Sequence, residues 1–397
     1  MGTISKPKVL LAHNQYLERG GEDESFDVEK SLLLQHEHEI CTYIRSNAEL
    51  ASYGWLRTLS LPFRTIHARD SRKDLRAIIS TERPDIVHFN NTFPLISPAA
   101  YETCQGLGVP VVQNLRNYRL VCPNALFYRD HHVCEDCLGR LLPWPSILHA
   151  CYRGSRVQSG VVAAMLAYHR LRRTWQTHVD AFVALTEFSR SKYIQGGIPA
   201  EKIVVRPNFV YDLGAAKEAG DYVLFVGRLA EGKGILGLLK AWRNCRNIPL
   251  KIIGDGPLRS IISTMVQSED LPGIELCGSL PALQVSSMIR RARFVVFPSI
   301  WYEVFPRVII EAFAAGRAVV VSGVGASPQT VEDGRNGLVF RVSDSKDLAE
   351  KVNYLWSRPD LCLEFGREAR VEYESKYTPE IAYLSSMQIY ERVLASK

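Results

Sequence analysis

Two glutamates eight residues apart, Glu303 and Glu311, interrupt the otherwise apolar stretch WYEVFPRVIIEAFAAGRAVVV. A lone carboxylate among apolar side chains is costly to desolvate, so each must reach water or meet a polar ligand. Pro306 suits the first turn of a helix and not its interior, which predicts a helix from about Pro306 to Gly316 with Glu303 on the loop before it. Glu311 then sits mid-helix, with Ile309, Ile310, Ala312 and Phe313 around it. RFVVFPS before this segment and AVVVS after it read as short buried strands, giving a βαβ unit. In open α/β sheets ligands bind at the carboxyl ends of the strands, which is where Glu303 falls.

Cations accompany the acids. FVGRLAEGKG sets Arg228 directly after a strand and Lys233 five residues on, where the next helix starts. Unpaired N–H groups at a helix start, with a guanidinium and an ammonium beside them, suit a diphosphate; solvated charges at a helix start are the plainer alternative. Gly20 and Gly21, between the first strand and the first helix, either let a ligand approach the backbone or make a turn. Cys122, Cys134, Cys137 and Cys151, four of the nine cysteines, fall close together in an irregular, proline-containing excursion. A structural Zn2+ held by four thiolates would staple such a segment, with unligated thiols or disulfides as the rivals.

The elements that must position these groups follow from length and patterning. A chain of 397 residues with 46% hydrophobic and 23% charged residues supports two domains of about 200 residues each. PKVLLAH, RPDIVHFNN, VPVVQNL and DAFVALT read as parallel strands of one α/β series. DYVLFVGRL, PLKIIGDGP, IELCGSL, RFVVFPS, AVVVS and NGLVF read as a second series. The expectation is two doubly wound, Rossmann-like parallel-sheet domains facing across a cleft. Residues 1–208 form the first, with the cysteine excursion at 120–152; residues 209–221 are a linker, and residues 222–376 form the second. PEIAYLSSMQIYERVLASK predicts a terminal helix within 377–397 that packs back on the first domain.

Net charge is +6, with the excess in the N-terminal half, too mild and diffuse for a nucleic-acid-binding protein. HRLRRTW, His169 to Trp175, is either a solvated helix face or a contact for anionic head groups. No apolar run approaches the roughly 18 residues of a membrane span, and no secretion leader is legible. The expected location is therefore cytoplasmic, with peripheral contact to the inner membrane surface. MGTISK also fits the loose N-myristoylation pattern at Gly2.

FVGRLAEGKG, IIGDGP, CGSL and above all PSIWYEVFPRVIIEAFAAG resemble the donor-binding half of the retaining glycosyltransferases of family 4, which have the GT-B fold. LAHNQYLERGGEDES, NYRLVCPNALFYRD, CEDCLG and TEFSRSKYI resemble the N-terminal half of its bacterial glycan-assembly members. The resemblance implies a nucleotide-sugar donor of UDP or GDP type, no cofactor for catalysis, and a saccharide or lipid-linked acceptor in cell-surface polysaccharide assembly. By the same resemblance, Arg228 and Lys233 would hold the diphosphate and Glu303 would face the transferred sugar. Glu311 would accept the ribose hydroxyls, Leu280 would sit near the base, and the backbone at Val304, Phe305 and Pro306 would orient sugar hydroxyls or phosphate. Gly20 and Gly21 would complete the donor site.

Two departures stand out. Pro306 replaces the family's usual glycine, and Arg116 in VVQNLRNYRL stands where the family carries a histidine that contacts the sugar. Arginine keeps its charge and cannot act as an acceptor, so Arg116 predicts either a donor that wants a cation there or weakened catalysis. A nucleotide-sugar-binding protein without turnover and a sugar-nucleotide epimerase of the same fold are the alternatives.

Overall fold

The computed structural model describes residues 6–18, 20–53, 60–212, 214–216, 218–268, 271 and 273–396. Gly2, and Leu213 and Lys217 of the expected linker, lie outside the described residues. The chain divides into two compact units. The first comprises Met1–Leu126, Glu135–Arg206 and Tyr383–Lys397; the second comprises Phe127–Cys134 and Pro207–Ala382.

The first unit is built on a six-stranded sheet in the order β2-β1-β3-β4-β7-β8, every pairing parallel. Its strands are β1 (Val9–Gln15), β2 (Ile40–Ser46), β3 (Ile86–Asn91), β4 (Val111–Leu115), β7 (Ala181–Ala184) and β8 (Ile203–Val205). β3, β4 and β7 are buried along their whole length and β1 along all but its last residue, as strands covered by helices on both faces must be. β2 and β8 close the two edges.

The second unit repeats the plan with β11-β10-β9-β12-β13-β14, again all parallel. These strands are β9 (Val223–Val226), β10 (Leu250–Ile253), β11 (Ile274–Gly278), β12 (Phe294–Phe297), β13 (Val319–Ser322) and β14 (Gly337–Phe340). Strand side chains alternate between faces. Val223, Phe225, Ile252, Val296 and Val320 therefore build one core layer, and Leu224, Ile253, Val295, Val319 and Val321 the other. Strand order reverses between β9 and β12, and a crevice opens beyond the carboxyl ends of strands at such a switch point. The chain leaves β9 there through Arg228 and leaves β12 through Trp301 and Glu303.

The helix after β12 runs Arg307–Ala314, with Pro306 just outside it, and buries Ile309, Ile310, Ala312, Phe313 and Ala314. A small antiparallel hairpin, β5 (Tyr128–Arg129) with β6 (His132–Val133), also belongs to the second unit. The terminal helix is Pro379–Ala395. Its residues from Tyr383 onward belong to the first unit, where the Tyr383 hydroxyl meets His38 at 3.2 Å and the Tyr390 hydroxyl meets His88 at 2.7 Å.

Candidate active site

The loop after β9 and the loop after β12 are clamped together by their backbones. A 3-10 turn, Glu231–Lys233, ends at Gly234, whose φ of +71° is left-handed. Neither glycine of this turn could carry a side chain. A Cβ on Gly232 would lie 2.2 Å from the Trp301 ring, and one on Gly234 would lie 1.8 Å from the Pro298 carbonyl oxygen. The Gly232 carbonyl in turn accepts from the Ile300 N–H at 2.9 Å and from the Ser299 hydroxyl at 3.1 Å.

This clamp brings Lys233 and Glu303 together. The Glu303 Oε1 accepts from the Lys233 ammonium at 2.7 Å, the Ser299 hydroxyl at 2.9 Å and the Trp301 indole N–H at 2.6 Å. All three donors converge on one oxygen, and among the described residues nothing engages Oε2. The Glu303 side chain is 14% exposed. The Lys233 ammonium lies 5.5 Å from the Trp301 ring centroid and 5.8 Å from that of Phe297, so its charge is held by one carboxylate and two aromatic rings. An ammonium has three protons, and one is directed at Glu303.

Glu311 has a different setting. Its Oε1 pairs with the Arg307 Nε at 3.0 Å, one helical turn earlier, and both residues line a cavity of about 310 Å3 that Leu283, Ile289, Arg290 and Ala314 also border. Arg228 is exposed at the carboxyl end of β9. Leu280 and Phe305 are partly buried against the core layer that contains Val295 and Ile309. Pro306 has no N–H, so of the backbone positions 304–306 it can offer a ligand only a carbonyl.

The remaining expected residues lie in the first unit. Gly20 precedes the helix Gly21–Gln35 in an extended conformation, and its N–H donates to Asp23 Oδ2 at 3.0 Å. A Cβ on Gly20 or Gly21 would meet nothing within 4 Å, so neither packing nor backbone conformation demands glycine there. Arg116 is buried, its side chain only 3% exposed; its Nε donates to Asn90 at 2.7 Å and its Nη2 to Glu29 at 2.8 Å. Glu29 also accepts from Arg206 at 2.5 Å and Asn114 at 2.9 Å. Burial alone would raise the Glu29 carboxyl, but the charges of Arg206, His88 and Arg116 outweigh it and hold it at about 2.

Among the described residues no group of three or more His, Cys, Asp or Glu side chains is placed to hold a metal ion. Cys134 lies in the hairpin segment of the second unit, and Cys122, Cys137 and Cys151 in the first.

Several partners were not singled out from the sequence. Ser299 and Trp301 lie within the motif PSIWYE, yet only the turn geometry shows that they serve Glu303. Glu22, after the glycine pair, accepts from the Tyr16 hydroxyl and from the Asn117 amide, each at 3.0 Å, and burial raises its carboxyl.

Comparison with known proteins matches residues 214–372 to the family Glycosyl transferases group 1 and residues 34–208 to the Glycosyl transferase 4-like domain. This chain belongs to the family 4 type of glycosyltransferases, with the GT-B fold. It is 32% identical over 209 residues to an uncharacterized glycosyltransferase of Methanocaldococcus jannaschii, a match covering 51% of this chain and 58% of the relative. It is 27% identical over 179 residues to the O-antigen chain mannosyltransferase C of Escherichia coli, covering 45% and 48%. The matched stretch is thus about half the length of these relatives. Among solved structures, HepE of Anabaena in complex with UDP and glucose superimposes with a TM-score of 0.67 at 17% identity, covering 96% of this chain and 98% of that one. At that identity the likeness is one of fold.

Proposed function

We propose that this glycosyltransferase moves a sugar from a UDP- or GDP-sugar to a saccharide or lipid-linked acceptor in cell-surface glycan assembly, with retention at the anomeric carbon. The observation that carries the reading is the Glu303 carboxylate: Oε1 is saturated by three donors, which leaves Oε2 as a fixed acceptor for sugar hydroxyls at the switch point of the sheet. Lys233 directs one proton at this carboxylate and keeps two for phosphate oxygens. Exposed Arg228 supplies the second cation. Glycosyl transfer builds positive charge at the anomeric carbon and negative charge on the leaving diphosphate, so preorganised cations lower the barrier most. Glu311, facing a cavity large enough for part of a nucleoside, accepts the ribose hydroxyls, and Leu280 lies toward the base. The backbone at Val304 and Phe305 steadies the sugar or phosphate, and the carbonyl of Pro306 can only accept from a hydroxyl. Gly20 and Gly21 keep the backbone bare for a ligand.

A lipid-linked acceptor is favoured by one surface of the first unit. Val157, Ala164, Tyr168 and Leu171 recur at helical spacing on Arg156–Leu171 and are exposed, Val157 at 78% and Leu171 at 68%. Leu141, Leu142, Trp144 and Leu148 in the preceding segment are exposed too, and Arg153, Arg156, Arg172 and Arg173 are exposed beside them in sequence. Apolar residues interleaved with arginines fit an anionic bilayer surface. Among the described residues no helix is long and apolar enough to cross a membrane, so this contact is peripheral.

A panel of UDP-, GDP- and dTDP-sugars, read by thermal shift, hydrolysis and the anomeric NMR signal of the product, tests the proposal. Turnover with one donor and retention at the anomeric carbon is the expected result. Release of an altered nucleotide-sugar without acceptor would replace it with an epimerase.

A further inference from the structure

The hairpin of the second unit comes from the first half of the chain and is strained. Phe127, Asp130 and His131 all have positive φ, at 49°, 49° and 66°. Non-glycine residues persist there only where surrounding structure over-determines them. Asp130 and His131 form the two-residue loop between Arg129 and His132, as in a type I′ turn. Two residues per strand cannot hold a hairpin by themselves. Its anchors lie elsewhere in the second unit. The Tyr128 ring meets Trp301 edge-on, with centroids 5.9 Å apart and planes at 87°, and Phe127 meets Tyr302 at 6.0 Å. The Tyr128 hydroxyl donates to Glu231 at 3.4 Å, and His131 pairs with the same carboxylate.

These anchors are the residues that build the Glu303 site. Trp301 gives its indole N–H to Glu303 and closes against Gly232; Glu231 opens the turn that ends in Lys233. We propose that the hairpin Phe127–Cys134 is a strap that fixes the sugar subsite. Tyr128 sets the plane of Trp301, Trp301 sets the rotation of the Glu303 carboxylate, and Oε2 is thereby aimed at one arrangement of hexose hydroxyls. Tyr128 and Trp301 are positioning residues that determine selectivity for the sugar; Trp301 also faces the Lys233 ammonium at 5.5 Å, and Trp301→Phe keeps an aromatic ring there. This rests on the reading of Glu303 as the sugar-facing carboxylate.

Three variants test it: Tyr128→Ala, Tyr128→Phe and Trp301→Phe. UDP and GDP serve as sugar-free probes in titration calorimetry, and the donor returned by the nucleotide-sugar panel serves for turnover. Tyr128→Ala and Trp301→Phe should keep nucleoside diphosphate affinity within twofold. Their kcat/KM for the donor should fall at least tenfold, and discrimination against its epimers should narrow. Tyr128→Phe, which keeps the ring, should restore most of the loss. A second readout needs no donor. With 5-fluorotryptophan incorporated, the 19F resonance lost in Trp301→Phe should shift in Tyr128→Ala and return in Tyr128→Phe. An unmoved resonance overturns the strap. So does an equal loss of nucleoside diphosphate and donor, which would make the hairpin a general stabiliser. If the unaltered protein binds neither UDP nor GDP, the nucleotide-sugar reading itself has failed, and that outcome is separate from a strap that fails in a working enzyme.

Discussion

Replacing Arg116 by alanine separates two roles for that residue, one toward the sugar and one inside the first unit. Arg116 and Arg206 both bond Glu29, whose side chain is 5% exposed. The Glu29 carboxyl falls from an ordinary 4.5 to about 2, and at about 1.4 kcal/mol per unit the favourable charges exceed desolvation by roughly 3 kcal/mol. A depressed carboxyl contributes its full stabilisation above pH 4.5 and loses it as the pH falls toward 2. Removing one partner of a buried pair costs about 3 to 5 kcal/mol, and with Arg206 still in place the lower figure applies. For a unit of this size that is a fall in Tm of roughly 6 to 12 °C.

Glu29→Gln should cost more, because it takes from two buried guanidinium groups the carboxylate they share. The double variant Glu29→Gln with Arg116→Ala should lose less than the sum of the singles, since its second change removes one of those cations. Arg116→Lys keeps the charge without the fork and should fall between Arg116→Ala and the unaltered protein. Calorimetric melting at pH 7.5, with donor turnover in parallel, reads all four. An Arg116→Ala protein that melts within 2 °C of the original while its donor preference changes would refute the reasoning and return Arg116 to the sugar.

Three further outcomes are expected. Glu311→Ala should weaken UDP or GDP binding by the loss of charged hydrogen bonds worth about 1.5 to 3 kcal/mol, read by titration calorimetry, with the fold intact. Arg228→Ala combined with Lys233→Ala should lower kcat more than donor affinity, because the leaving charge peaks in the transition state; equal losses would mean that the two only grip the diphosphate. Sedimentation with vesicles containing phosphatidylglycerol should carry the protein down at low salt, and Trp144→Ser with Leu171→Ser should abolish this without lowering Tm.

The parts of this molecule legible in the sequence are those whose physics is local. The central strands announce themselves as short, apolar-rich runs because both faces are covered, and Pro306 punctuates the loop that carries Glu303. β2 and β8 escaped the same reading. Both lie at sheet edges, where ICTYIRS is only partly buried and IVV is three residues long, so neither shows a fully apolar stretch. FYRDHHVC has no apolar run at all, and its hairpin is anchored by rings about 170 positions further along the chain and by Glu231. Proximity of the cysteines in sequence suggested a ligand set, and among the described residues no such set is formed.

Arg116 sharpens the point. A cation at the carboxyl end of a parallel strand reads as a ligand contact, because that edge is where ligands bind. Whether it turns toward the ligand or into the core depends on an acid, and that acid stands 87 positions earlier on a helix packed against the sheet. The same acid is shared with Arg206 and lies close enough to His88 for their charges to interact. Burial lowers His88 to about 4, so it is neutral at pH 7, and the protonation that acid would force on it in the unfolded chain begins near 6.5. Stability of the first unit should therefore decline in two stages on acidification, first between about pH 6.5 and 4 as His88 is drawn toward its charged form, then below 4.5 as Glu29 is neutralised. His88→Asn should shrink the first stage, to which His169, lowered by burial to about 4 in the same unit, also contributes, and leave the second. A single acid transition centred below pH 4.5, unchanged by His88→Asn, would show that the histidine is not buried beside these charges and that the cluster around Arg116 is looser than its hydrogen bonds describe.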